Sequence, residues 1–105
     1  MPDNFELLLI QHEVEQRFRP SNPITQAIAQ KLAQTLFQQR RCEYLINFAR
    51  SLPQRRIDQL PADKQANFTQ NMKKLIVRLQ ALKRTSREYS AALGASTSNP
   101  AQPIQ

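Results

Sequence analysis

The chain has 105 residues, enough for one domain with a modest core. Fifteen Lys and Arg stand against eight Asp and Glu, a formal charge of +7, which points to an anionic partner. One Cys, one His and one Gly exclude an internal disulfide, a four-ligand zinc site and a glycine-rich phosphate loop.

What remains is a helix-rich chain. Gln occurs 14 times, Ala, Leu and Arg are abundant, and strand-like alternation is sustained nowhere. The expected fold class is all-α: a small helical bundle over residues 1–93 with two long antiparallel helices and a shorter N-terminal one. A disordered tail, 94–105, follows it.

The first helix is expected to start after a cap at Asp3 or Asn4 and to run to Arg17 or Phe18. Phe5, Leu8, Leu9 and His12 lie at three-to-four spacing on its apolar face, widened by Leu7, Ile10 and Val14. Residues 1–16 hold four acids and no base. All fifteen bases therefore fall in the remainder with the other four acids, a local charge of +11. Arg19-Pro20-Ser21-Asn22-Pro23 breaks the helix, because two prolines in four residues cannot continue it.

Asn22 as cap and Pro23 as first helical residue open a second helix, expected to reach about Arg50. Its inward stripe reads Ile28, Leu32, Leu36, Ile46 and Ala49, widened by Ala29, Ala33, Phe37, Tyr44 and Phe48. Gln30, Gln34 and Gln38 form a wet side, and Arg40 and Arg41 sit mid-helix. Between Pro53 and Pro61 a turn or two of helix carries Arg55 and Arg56.

The last helix organises the rest. From Phe68 to Leu93 the spacing puts Phe68, Met72, Leu75, Leu79, Leu82, Tyr89 and Leu93 on one stripe. Lys73, Lys83, Arg84 and Arg87 fall on one flank of that stripe, and Lys74 and Arg78 on the other. Only Glu88 opposes these six bases within the segment. Gly94 stands where a left-handed cap would end the helix. Leu45, Leu52, Ile76 and Val77 lie outside a narrow seam and suggest a further partner.

Residues able to carry chemistry are sparse. His12 has no neighbour to complete a site, and Cys42 reads as a buried structural thiol in a reducing, cytoplasmic setting. Asp58 and Asp63 read as a turn acid and a cap rather than a catalytic pair. No enzyme activity, cofactor or metal is expected. Leu7 to Ile10 follows acids, unlike a signal peptide, and no run approaches the roughly 18 apolar residues of a membrane span. The apolar stripe of the last helix is matched by that of the second, which argues against a membrane-surface helix.

The basic groups therefore carry the functional expectation. Arg40, Arg41, Arg55, Arg56, Lys73, Lys74, Arg78, Lys83, Arg84 and Arg87 are candidates for holding a sugar-phosphate backbone, RNA or DNA. The helices are too long for a helix-turn-helix reader, and the aromatics follow core stripes rather than forming an RNA-stacking surface. Two other classes stay open: a helical adaptor that binds protein, and a DNA-binding regulator.

In size, charge and helix layout, residues 1–93 resemble the small subunit of CRISPR Cascade-type effector complexes, which are antiviral ribonucleoproteins. That resemblance implies a non-catalytic subunit whose copies stack along the complex and line a positive path for the guide–target hybrid or the displaced strand. Under it, Arg40, Arg41, Lys73, Lys74, Arg78, Arg84 and Arg87 face the strand. The acidic first helix and the apolar flanks would then meet neighbouring subunits.

Overall fold

The computed structural model describes residues 2–98, with side chains described for 5–95. Four helices follow in order: α1 Pro2–Phe18, α2 Pro23–Ser51, α3 Gln54–Asp58 and α4 Ala62–Ser98. There is no strand among the described residues, and the fold is an all-α bundle.

The breaks follow local chemistry. At the start of α2, Asn22 is extended (φ −133°, ψ 167°), and its Oδ1 accepts from the Thr25 amide at 2.8 Å. The Thr25 hydroxyl in turn accepts from the Asn22 amide at 3.2 Å, completing a reciprocal capping box in front of Pro23. α1 ends differently. Arg19 takes a positive φ of 47°, and its amide donates to the Glu15 carbonyl at 2.8 Å. This is a left-handed helix end of the kind usually given to glycine. Between α3 and α4, the Gln65 Nε2 donates to the carbonyls of Asp58 (3.0 Å) and Leu60 (2.8 Å), tying the connector to the first turn of α4.

Two boundaries differ from expectation. α1 begins at Pro2, so Asp3 and Asn4 lie in its first turn instead of preceding it. α4 runs through Gly94 to Ser98, and Gly94 has no positive φ. The Ala-rich sequence around Gly94 favours helix enough to carry the chain past one glycine, which costs only about 1 kcal/mol. The remainder of the expected tail, 99–105, lies outside the described residues.

α2 and α4 form an antiparallel hairpin. Its register is marked by the Ser86 hydroxyl donating to Gln39 Oε1 at 3.1 Å, with Ser86 buried, and by Arg78 reaching Gln38 Oε1 at 3.5 Å. α1 packs at the end where α2 begins and α4 finishes. There Ile10 and Val14 meet Ala29, Leu32, Ala33 and Leu93 in a hydrophobic cluster of buried residues. Phe18, Ile28, Leu36, Phe37 and Tyr89 close around it. The small Ala29 and Ala33 leave room for α1 to approach. Burying Ile10, Leu32 and Leu93 contributes on the order of 2–3 kcal/mol each. At the other end α2 and α4 have only each other. Cys42 and Ile46 are buried, but no residue of α4 before Ser86 is. The molecule is long, 64 × 27 × 20 Å. Its radius of gyration of 18.6 Å exceeds the ~13 Å of a compact chain of this length.

α1 presents a different face from the one its spacing suggested. Ile10 and Val14 are buried, whereas Phe5 (63% exposed), Leu8 (61%) and Leu9 face solvent, as does His12. The first half of α1 is apolar almost all round, so periodicity does not choose a side. Packing chooses the line Ile10–Val14–Phe18, spaced four apart, because it fits the alanines of α2.

Candidate nucleic-acid interface

All ten expected basic residues are on the surface. α4 carries six of them. Lys73, Lys74, Lys83, Arg84 and Arg87 make no ion pair among the described residues, and the one nearby acid of that helix is Glu88. From Lys73 to Arg87 is fourteen residues, about 21 Å of helix at 1.5 Å each. Along the axis of a duplex, where one strand rises about 3.4 Å per phosphate, that spans roughly six phosphates. The spacing needed to display these charges comes from the stripe beneath them. Leu75, Leu79 and Leu82 are half-buried against α2, which turns both basic flanks to solvent.

The remaining bases are dispersed. Arg78 is exposed and touches Gln38 across the hairpin by a long, 3.5 Å contact. Lys73 borders a shallow trough with Gln65, Thr69 and Gln70 on the outer side of α4. Arg55 and Arg56 are held on α3, a five-residue helix with no buried side chain. Arg40 pairs with Glu13 of α1 at 3.5 Å, an exposed contact of under about 1 kcal/mol that a phosphate could displace. The Arg41 guanidinium lies 5.7 Å from the centre of the Phe37 ring. Thus α4 gathers Lys73, Lys83, Arg84 and Arg87 along one flank with Lys74 on the other, while the arginine pairs of α2 and α3 stand apart from them.

Two further features arise along the second half of α2, one at the two-helix end and one where the start of α1 reaches α2. Leu45, Phe48, Ala49 and Leu52 of α2 face Phe68, Met72 and Leu75 of α4 across an open, largely apolar groove of about 220 Å³. Beside it, Glu6, Arg40, Arg41, Tyr44 and Leu45 line a cleft of about 290 Å³. Tyr44 (69% exposed) and Phe48 (56%) were expected to widen the core stripe. Instead they stack on each other outside it, ring centres 6.5 Å apart and planes 17° apart. A signal for this was present. Both stand two residues from Ile46, which at about 100° per residue puts them on the side of the helix opposite that buried residue. Leu8 and His12 stand in the same relation to Ile10.

For other chemistry, the described residues hold no group of three or more His, Cys, Asp or Glu able to bind a metal, and no helix long and apolar enough to cross a membrane. Cys42 is a buried free thiol. His12 is exposed. Asp58 Oδ1 accepts from the Gln54 side chain at 3.0 Å, a bond within α3 that gives it a local structural role. Comparison with protein-family models, curated proteins and solved structures finds no match.

Proposed function

We propose that the protein is a non-catalytic, sequence-independent nucleic-acid-binding subunit of a larger ribonucleoprotein assembly, comparable in role to the small subunit of a Cascade-type CRISPR effector. The observation that carries this reading is the basic surface of α4. Five bases over about 21 Å lack ion pairs among the described residues, on a helix whose inner stripe is occupied by α2. A surface used only for solubility would mix both signs. The mechanism is electrostatic. Arginine forks and lysine point charges engage backbone phosphates and release condensed counterions, while exposed glutamines add hydrogen bonds. The buried Cys42 thiol suits a reducing, cytoplasmic setting.

A second reading, a protein-binding helical module, is favoured by the exposed Phe5, Leu8 and Leu9 on acidic α1. In an assembly subunit the two readings divide the molecule: α1 toward a protein neighbour, α4 toward the strand.

Binding to single-stranded DNA, single-stranded RNA and duplex, measured across a salt series, tests the proposal. The expected log–log slope is about −0.7 to −0.9 per phosphate contacted. Changing Lys73, Lys74, Arg84 and Arg87 together to Glu should reduce affinity by about 100-fold or more, since the slope loses several phosphate contacts. Absence of salt-dependent binding to every strand would leave the protein-binding module. Preference among duplex sequences would instead point to a DNA-binding regulator.

A further inference from the structure

The exposed aromatic pair lies outside the buried cluster, with Phe48 also bordering the groove toward Phe68 and Met72. Tyr44 and Phe48 are among the most exposed large apolar side chains of the molecule, and they are stacked in near-parallel planes. Arg40 and Arg41 precede Tyr44 by four and three residues, so all four side chains share one face of α2. Glu6 of α1 completes the cleft that Arg40, Arg41, Tyr44 and Leu45 form.

We infer that this face of α2 is a base-stacking subsite for single-stranded nucleic acid, with Tyr44 and Phe48 as the platform and Arg40 and Arg41 as its phosphate contacts. The inference rests on the nucleic-acid reading above and narrows it to strands whose bases are unpaired.

Each group present has a role in that ligand. Aromatic rings stack on any base, but only on a base whose face is free, which a duplex does not offer. Two rings with a centre spacing of 6.5 Å and 17° between planes are successive steps of one platform, not an edge-to-face core pair. Arg40 holds Glu13 only by an exposed 3.5 Å contact, and the ring of Phe37 orients the Arg41 guanidinium. Arg40 can reach a phosphate at the cost of that weak contact, and Arg41 adds positive charge beside it. The Glu6 carboxylate would repel a phosphate placed directly on it but can accept hydrogen bonds from base N–H groups, the ring N3–H of thymine included. An acceptor and two forked donors beside a flat apolar surface fit a nucleotide better than a purely apolar protein segment.

The test uses the full chain and fluorescence anisotropy with three labelled probes of equal length: oligothymidylate, an abasic strand that keeps the phosphates, and a duplex. The wild-type chain is expected to bind oligothymidylate about tenfold or more tighter than the abasic strand, since each stacked base adds a contact the abasic strand lacks. Tyr44→Ala and Phe48→Ala should each weaken oligothymidylate binding about fivefold or more and bring the two affinities together. Neither should change abasic binding or its salt slope. Tyr44→Phe should keep the preference, and thermal melting by circular dichroism confirms that each variant is folded. Equal wild-type affinity for the base-bearing and abasic strands overturns the inference. So does a preference that survives both alanine variants while the fourfold charge reversal of α4 abolishes binding. In those two cases nucleic-acid binding stands without this subsite, whereas failure of the wild-type chain to bind any probe removes both.

Discussion

The two ends of the bundle are built from the same two long helices, yet only one of them has a core. Where α1 joins α2 and α4, Ile10, Leu32, Ala33 and Leu93 are fully or almost fully buried. Where α2 and α4 stand alone, Phe68, Met72 and Leu75 are half-buried along an open groove, and Leu45 and Phe48 are exposed. Two helices can shield only one side of each other, so a third element decides whether an apolar stripe becomes a core. The difference separates a stability end from an end with surface to spare for a ligand or neighbour.

The largest effect expected from this comparison is in stability. Leu32→Ala should destabilise the chain by about 3 kcal/mol, within the 2–5 seen for buried leucines. Met72→Ala should cost about 1 kcal/mol or less, since half-buried side chains lose less contact. Chemical denaturation monitored by circular dichroism measures both, and equal losses would show that the groove end is as well packed as the other.

A smaller effect sharpens the comparison along α4, whose basic surface spans both ends. Lys73→Ala lies toward the two-helix end and Arg87→Ala toward the three-helix end. Each should lower the slope of log affinity against log salt by about one phosphate contact, equally across strand sequences. A change confined to one of them would confine the strand to that end.

The smallest effect concerns the hinge into the three-helix end. Arg19 adopts φ 47°, a conformation that costs a non-glycine residue roughly 1 kcal/mol. Arg19→Gly should therefore raise stability by about 0.5 kcal/mol, less than the full strain because glycine also frees the unfolded chain. A fall in the denaturation midpoint would mean that the arginine side chain contributes more than its backbone costs.

Much of the fold was legible from residue order, for identifiable reasons. Asn22-Pro23 and the two prolines flanking α3, Pro53 and Pro61, act within a few residues, and they placed the helix breaks. The stripe from Phe68 to Leu93 repeats cleanly over seven turns, and all its members are half-buried or buried. The basic flanks of α4 follow from that stripe by geometry alone. Less was legible where apolar residues encircle a helix. In α1, five of the six residues from Phe5 to Ile10 are apolar, so two faces were equally good until α2 offered its alanines to one. In α2, Tyr44 and Phe48 look like core residues by type, and only their offset from Ile46 says otherwise. The Arg40–Glu13 contact joins residues 27 apart in sequence and had no local signal at all.

The sequence by itself determined an all-α chain, the order of its helices, its acidic start and basic remainder, and the line of charge along α4. Those properties depend on composition and on the 3.6-residue period, which act within a single helix. Only the tertiary structure decided which face of α1 is inside, that the core occupies one end, and that the face of α2 bearing Tyr44 and Phe48 is left in solvent. Burial is a property of what neighbouring helices cover, and a helix does not carry that information in its own period.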